Sequence, residues 1–175
     1  MAKQTICQAD PSKWDGMRTE LLLQRATPVT MDNLAEARRV AEDLADTVHS
    51  QSLAIGLAAN QINSPLAVAM IAVEDYELIM FNPQILSATG KKDRKRESCM
   101  SVWGLTGEVE RREKIKLSYQ DYSLSVHEIF LKGFISRVAQ HEVDHLNGRL
   151  YTSLVHGEIR STDLFAGHSP VRKEA

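Results

Sequence analysis

Two histidines four residues apart, His141 and His145, lie in a stretch whose apolar residues recur with helical spacing. Ile135, Val138, Ala139 and Leu146 mark one face from Phe134 to about Asn147, and Gly148 supplies a C-terminal stop. Side chains at i and i+4 share a helix face, so both imidazoles can reach one metal ion. The full motif is His141-Glu142-Val143-Asp144-His145. Three fixed residues at fixed spacing arise by chance in well under roughly 1 in 100 chains of this length. A surface helix with two histidines facing water is the plain alternative, and the apolar flanks argue against it. Glu142, next to the first imidazole, can take a proton from a water at the metal, whose charge lowers the water pKa. Hydrolysis is the natural chemistry.

A catalytic site of this type needs a third ligand and an open position. A third histidine after Gly148 is excluded, because Tyr151 occupies that position. Glu158 or Asp163 would have to reach in from an irregular tail. Cys99, in Glu97-Ser98-Cys99-Met100-Ser101, would give a Cys/His/His set. Cys7, the other cysteine, is expected to be a small buried or partly exposed residue near a frayed terminus. Two cysteines cannot make a disulfide framework.

The rest of the chain supplies the scaffold. Leu34, Ala37, Ala41, Leu44 and Val48 predict an amphipathic helix over about Asp32 to Ser50, capped by Asp32 or Asn33. Leu66 to Val73 reads as a buried strand and Glu77 to Phe81 as its partner, stopped by Asn82-Pro83. Ile115, Leu117 and Tyr119 alternate with polar residues, and a similar run from Leu124 ends near Gly133, a hairpin across Asp121 to Ser123. Helix, strands, helix in that order predicts an α+β fold, antiparallel strands wrapped around the second helix. With 175 residues and no repeat or linker, one domain over 1–175 is expected, with 155–175 a loosely ordered tail.

The charge is −2, so nothing favours DNA, and the longest apolar run, Leu66 to Val73, is too short to cross a bilayer. The first residues have no stretch long enough for a signal peptide, so a cytoplasmic location is expected.

Three segments together resemble the motifs of peptide deformylases. Ala54-Ile55-Gly56-Leu57-Ala58-Ala59-Asn60-Gln61 is similar to Gly-x-Gly-Leu-Ala-Ala-x-Gln. Glu97 to Ser101 is similar to Glu-Gly-Cys-Leu-Ser, and Gln140 to Gly148 to Gln-His-Glu-x-Asp-His-Leu-x-Gly. Order and spacing match, over about Asp32 to Tyr151. The resemblance implies a deformylase-like α+β fold in which Cys99, His141 and His145 hold one divalent ion, typically Fe2+, with Zn2+, Ni2+ or Co2+ able to substitute. It implies that Glu142 activates water against a formamide carbonyl, with the Gln61 amide and the backbone N–H of Met100 as oxyanion donors. Formate and a free amine would leave. Gly56 would let the backbone approach closely, and Arg111 would pair with Asp144 or Glu97 behind the ligands.

The departures fall around the substrate. Ala54 and Ser98 replace usual glycines, Trp103 a usual proline and Thr106 a frequent arginine. In the pocket expected from Ile55, Gly56, Ser98, Phe134 and Val138, Lys95 and Arg137 stand where aliphatic residues are usual. Arg137 precedes His141 by four residues and so shares its face, where a guanidinium could bind a substrate carboxylate or phosphate. Lys91-Lys92-Asp93-Arg94-Lys95-Arg96 has five bases in six positions, a pattern most often found in a solvated loop. The first expectation is hydrolysis of formyl-methionyl peptides. The alternatives are hydrolysis of another, acidic N-formyl compound, or a non-catalytic binding protein on the same fold. A transient ribosome contact through the basic run is a weaker expectation.

Overall fold

A computed structural model describes residues 3–9 and 19–168 of the chain. Helix α1 spans Leu34–His49, entered by a 3-10 turn at Met31–Asn33. Its buried face holds the predicted Leu34, Ala37, Ala41, Leu44 and Val48 and adds Val40 and Thr47. Asn33 stands at the cap position, but its side chain accepts the Thr30 N–H and donates to the Pro28 carbonyl instead of capping the helix.

Strands β1 (Gly56–Ala58), β2 (Val68–Val73), β3 (Tyr76–Cys99), β4 (Val102–Gln120) and β5 (Val126–Lys132) form one antiparallel sheet in sequential order. The short strand β6 (Arg160–Ser161) pairs with β4 at Leu105 and Thr106. Helix α2 (Gly133–Leu146) packs against β1, β2, β4 and β5 and is buried around most of its circumference. Its end is set by Gly148, whose φ of 70° is the left-handed conformation that closes a helix at low cost to glycine. Two apolar clusters flank it. One gathers α1, Met70 and Phe81; the other joins Ile71, Met80, Ile115, Leu117 and Leu131 to Val138, Ala139, Val143 and Leu146 of α2.

Two expectations are corrected. Asn82-Pro83 does not stop the strand: β3 continues through a bulge between Phe81 and Gln84. Asn82, at φ 50°, replaces the missing ladder bonds with its amide, which bonds both the N–H and C=O of Val29 and the Gln120 side chain. The basic run is not a loop but the second half of β3, in register with β4 from Lys92↔Arg112 to Arg96↔Glu108. An unbroken run of exposed bases on a strand paired along one edge looks the same in sequence as a solvated loop. Of the tail, 155–168 are described and largely exposed, while 169–175 lie outside the described residues. Phe165 is buried, its ring 4.3 Å from that of Trp103, and Val155 bridges to Val109. Trp103 and Thr106, two departures from the family pattern, are therefore both seats for the C-terminal segment.

No helix among the described residues is long and apolar enough to cross a membrane.

Candidate metal centre and substrate cavity

Cys99 ends β3, and His141 and His145 lie one turn apart on the face of α2 toward that end. One ligand atom from each of the three falls within 4.8 Å of the others, and Cys99 Sγ is 3.1 Å from His145 Nε2. Soft thiolate with two imidazoles is a donor set suited to first-row divalent metals. His141 Nδ1 lies 3.1 Å from Glu97 Oε2, which leaves its Nε2 for the ion. Tyr151, at the position where some helical zinc sites carry a third histidine, is buried and stacks on the His141 ring. Glu158 is exposed beside Arg160, and Asp163 is not in the ligand group.

Glu97 organises the back of the centre. Its carboxylate accepts Arg111 Nε and Nη2 at 3.0 and 2.9 Å, Arg137 Nη1 at 2.6 Å and the His141 ring. Burial alone would raise this carboxyl, but the hydrogen bonds from His141 and Arg111 outweigh it and hold the pKa at about 2. The ionised Glu97 therefore fixes the proton of His141 on Nδ1. Arg111 also reaches Asp144, so one guanidinium ties β3, β4 and α2 together behind the ligands.

Glu142 is buried in front of them. Burial pushes its pKa up to about 7, partly opposed by His141, and its Oε2 has no hydrogen-bond partner among the described residues. A desolvated carboxyl poised near neutrality suits a group that takes up and returns a proton. Gln61 sits in the 3-10 turn Ala59–Ile62; its Oε1 accepts the Ala58 N–H at 2.8 Å. That bond turns Nε2 toward Cys99 Sγ, 3.6 Å away, and Ser101 Oγ, 3.1 Å away. The Met100 N–H follows the cysteine directly.

A cavity of about 450 Å³ opens on this centre. Ile55, Gly56, Ser98, Phe134, Arg137 and Val138 line it with Gln61, His141 and Glu142. Two expectations about its charges are corrected. Lys95 is absent from the lining; its ammonium is solvated and 2.9 Å from Asp93. Arg137 lines the cavity but is not free for a substrate anion, because it is bonded to Glu97, the Val109 carbonyl and the Asp93 carbonyl. Arg137 does border the cavity beside His141, but its partners are internal. Sequence reasoning missed Leu53, Arg96 and the C-terminal Ser161, Thr162, Leu164 and Phe165. Leu164-Phe165, an apolar pair in a polar tail, was the available signal for the last group.

A helix that presents a histidine and a buried glutamate to a cavity, with a second histidine one turn on and a cysteine from the adjoining strand completing the ligand group, defines a metallohydrolase centre for a single divalent ion. The family model for polypeptide deformylase matches residues 16–159. A peptide deformylase of Thermoanaerobacter pseudethanolicus is 36% identical over 132 residues, 75% of this chain and 81% of that one. One from Aquifex aeolicus is 37% identical over 128 residues, 70% of this chain and 75% of that one. Among solved structures, the peptide deformylase of Thermotoga maritima superposes with a TM-score of 0.78 at 28% identity, covering 90% of this chain and all of that one. The Synechococcus elongatus peptide deformylase in complex with actinonin gives 0.76 at 29%, covering 90% of this chain and 82% of that one. The chain belongs to the polypeptide deformylase family.

Proposed function

We propose that this protein removes the N-formyl group from formyl-methionyl peptides, with Cys99, His141 and His145 holding one divalent ion. The observation that carries the reading is the buried, unpartnered carboxyl of Glu142 beside His141 at the inner end of the cavity. The ion, ferrous iron by our assignment and replaceable by zinc, nickel or cobalt, supplies a Lewis acid that makes water a nucleophile at neutral pH. Glu142 takes the proton of the attacking water and delivers it to the departing amine. The Gln61 amide and the Met100 N–H donate to the oxyanion as the formyl carbonyl becomes tetrahedral. The C–N bond breaks, and formate and the free amino terminus leave.

The peptide has a place to lie. Beyond Phe81, the edge of β3 away from β4 has no strand neighbour among the described residues, and β1 pairs with β2 on one side only. Both open edges, at Gly56 and at Ser98, face the cavity. An extended peptide between them gains main-chain hydrogen bonds, and its side chains alternate between cavity and solvent.

Residues 1–175 then act as one catalytic domain in the cytoplasm. An acidic first residue loses the support that Arg137 gave it. A binding-only role has no use for an inward Glu142 or an oriented Gln61. A ribosome contact through residues 91–96 is a separate part of the proposal; binding to ribosomes that is unchanged when those bases are neutralised removes it.

The test is formate release by anaerobically prepared, iron- or nickel-loaded protein, comparing formyl-Met peptides with formyl-Glu and formyl-Asp compounds. Formyl-Met peptides are expected to be turned over best. Glu142→Gln is expected to keep the ion and lose about 10²–10⁴ in kcat. Substantial turnover by that variant overturns the assignment of the base.

A further inference from the structure

Five bases stand between Lys91 and Arg96, and their partners differ. Lys92 and Arg94 face Glu110, and Lys95 is held by Asp93. Arg96 is different. Its guanidinium makes no hydrogen bond or ion pair among the described residues, although Glu108 stands opposite in register. It lines the substrate cavity, which none of the other four does.

Arg96 and Ser98 are two residues apart on one strand, so their side chains leave the same face, and both border the cavity. The Ser98 hydroxyl has no partner among the described residues either. Just past Ser98 in the same direction, at the end of β3, lies Cys99, three residues from Arg96, roughly 10 Å at strand rise. A peptide extended along the open edge of β3 covers the same length in about three residues. A group on its second or third residue thus comes opposite Arg96 when the formyl carbon is at the metal centre. Among the described residues, the only carboxylates lining the cavity are Glu97 and Glu142, both buried, and Glu97 is already bonded to Arg111, Arg137 and His141. An unpaired guanidinium at the open end of such a cavity, with an unbonded hydroxyl beside it, matches a carboxylate in charge and in donor geometry.

We propose that Arg96, aided by the Ser98 hydroxyl, reads a carboxylate carried by the peptide at or just beyond its second residue. The carboxylate is either an acidic side chain or the C-terminus of a short peptide. This rests on the deformylase reading above and adds a substrate preference to it. It also inverts the earlier expectation: the acid is recognised downstream of the formylated residue, while the pocket for that residue is left to Phe134, Val138 and the aliphatic stem of Arg137.

Initial rates on a panel of capped peptides test it. The panel is formyl-Met-Ala-Ala amide, the Glu and Lys variants at the second and third positions, and formyl-Met-Ala-Ala as free acid. The nickel-loaded wild type is expected to favour a Glu peptide or the free acid over the neutral amide by about fivefold in kcat/KM, carried by KM, with Lys disfavoured. The preference shrinks in 0.5 M KCl, because Arg96 is exposed. In Arg96→Ala the acid-to-neutral ratio is expected to fall to about one, and in Arg96→Glu to reverse. A preference for the free acid alone identifies the peptide terminus as the source; one for internal Glu identifies the side chain. Equal rates across the panel in the wild type, or a ratio untouched by Arg96→Ala, overturns the inference while leaving deformylation intact. Failure to turn over any member overturns the deformylase reading, and this inference with it.

Discussion

Arg137 on α2 places Nη1 2.6 Å from Glu97 Oε1 on β3, while Arg111 donates to the same carboxylate from β4. Two guanidiniums therefore share one buried anion, and the anion in turn holds His141. Arg137 also bonds the carbonyls of Val109 and Asp93, so it fastens the helix to both strands of the long hairpin. Where the family usually has an aliphatic pocket residue, this chain has a structural clamp.

Arg137→Ile is expected to lower stability by about 3 kcal/mol, since two carbonyls and part of a carboxylate lose their donor inside the protein. For a chain of this size that is roughly 6–12 °C in Tm, read by thermal unfolding. Arg137→Lys recovers only part of it, because one ammonium cannot span three acceptors on two strands. A Tm unchanged in both variants would show that the clamp carries no load.

Gly56→Ala separates catalysis from metal binding. A Cβ there would lie 2.6 Å from Glu142 Oε1 and 2.9 Å from Val138 Cγ1. The carboxyl is the freer of the two, because its other oxygen has no partner, so it is expected to swing aside. Displacing a base by about 1 Å costs on the order of 10²-fold in kcat. Metal content by elemental analysis is expected to stay at the wild-type level, and a loss of metal would place the damage at the ligands instead.

Both helices and the ligand histidines were legible because each rests on a local period or a fixed spacing. Glu97 was read as a motif position and a possible Arg111 partner, but its fourfold role was not readable. It depends on how β3, β4 and α2 meet, and no sequence spacing encodes that. The same limit applies to Arg137: its face follows from helix geometry, its partner from tertiary packing. Asn82-Pro83 misled for a different reason. Proline does break a ladder, but the Asn82 amide supplies the lost bonds from outside the backbone. The buried seat of Phe165 was hidden because its partner ring, Trp103, is separated from it by most of the second half of the chain.

Asp121 gives a pH dependence whose sign is fixed. Its carboxylate accepts the N–H groups of Ser123 and Ser125, the Ser123 hydroxyl and the His127 ring, closing the turn between β4 and β5. These bonds, those of Ser123 and His127 first, hold its pKa below the ordinary 3.8. A depressed carboxyl contributes stability above the unfolded value and loses it as the pH falls through the folded one. Asp121→Ala is thus expected to melt below the wild type at pH 7, with the gap narrowing as the pH drops from 3.8 downward. A gap constant from pH 7 to pH 2 would mean that the charge plays no part in the turn.

The two cysteines are expected to behave oppositely, although both are buried. Cys7 contributes no ligand; its backbone N–H bonds the Gln61 carbonyl, and burial raises its thiol pKa. Cys99 sits against His145 with Ser101 N–H and Gln61 Nε2 directed at its sulfur. Cys99→Ser is expected to lose the ion, because a hydroxyl is a poor ligand for a site built around thiolate, whereas Cys7→Ser keeps it. An ion present at 100 times its Kd stabilises the fold by about 2.7 kcal/mol. Chelation should then lower the Tm of the wild type and of Cys7→Ser by roughly 5–11 °C and leave Cys99→Ser unmoved. A chelator shift of equal size in all three proteins would place the ion somewhere other than this centre.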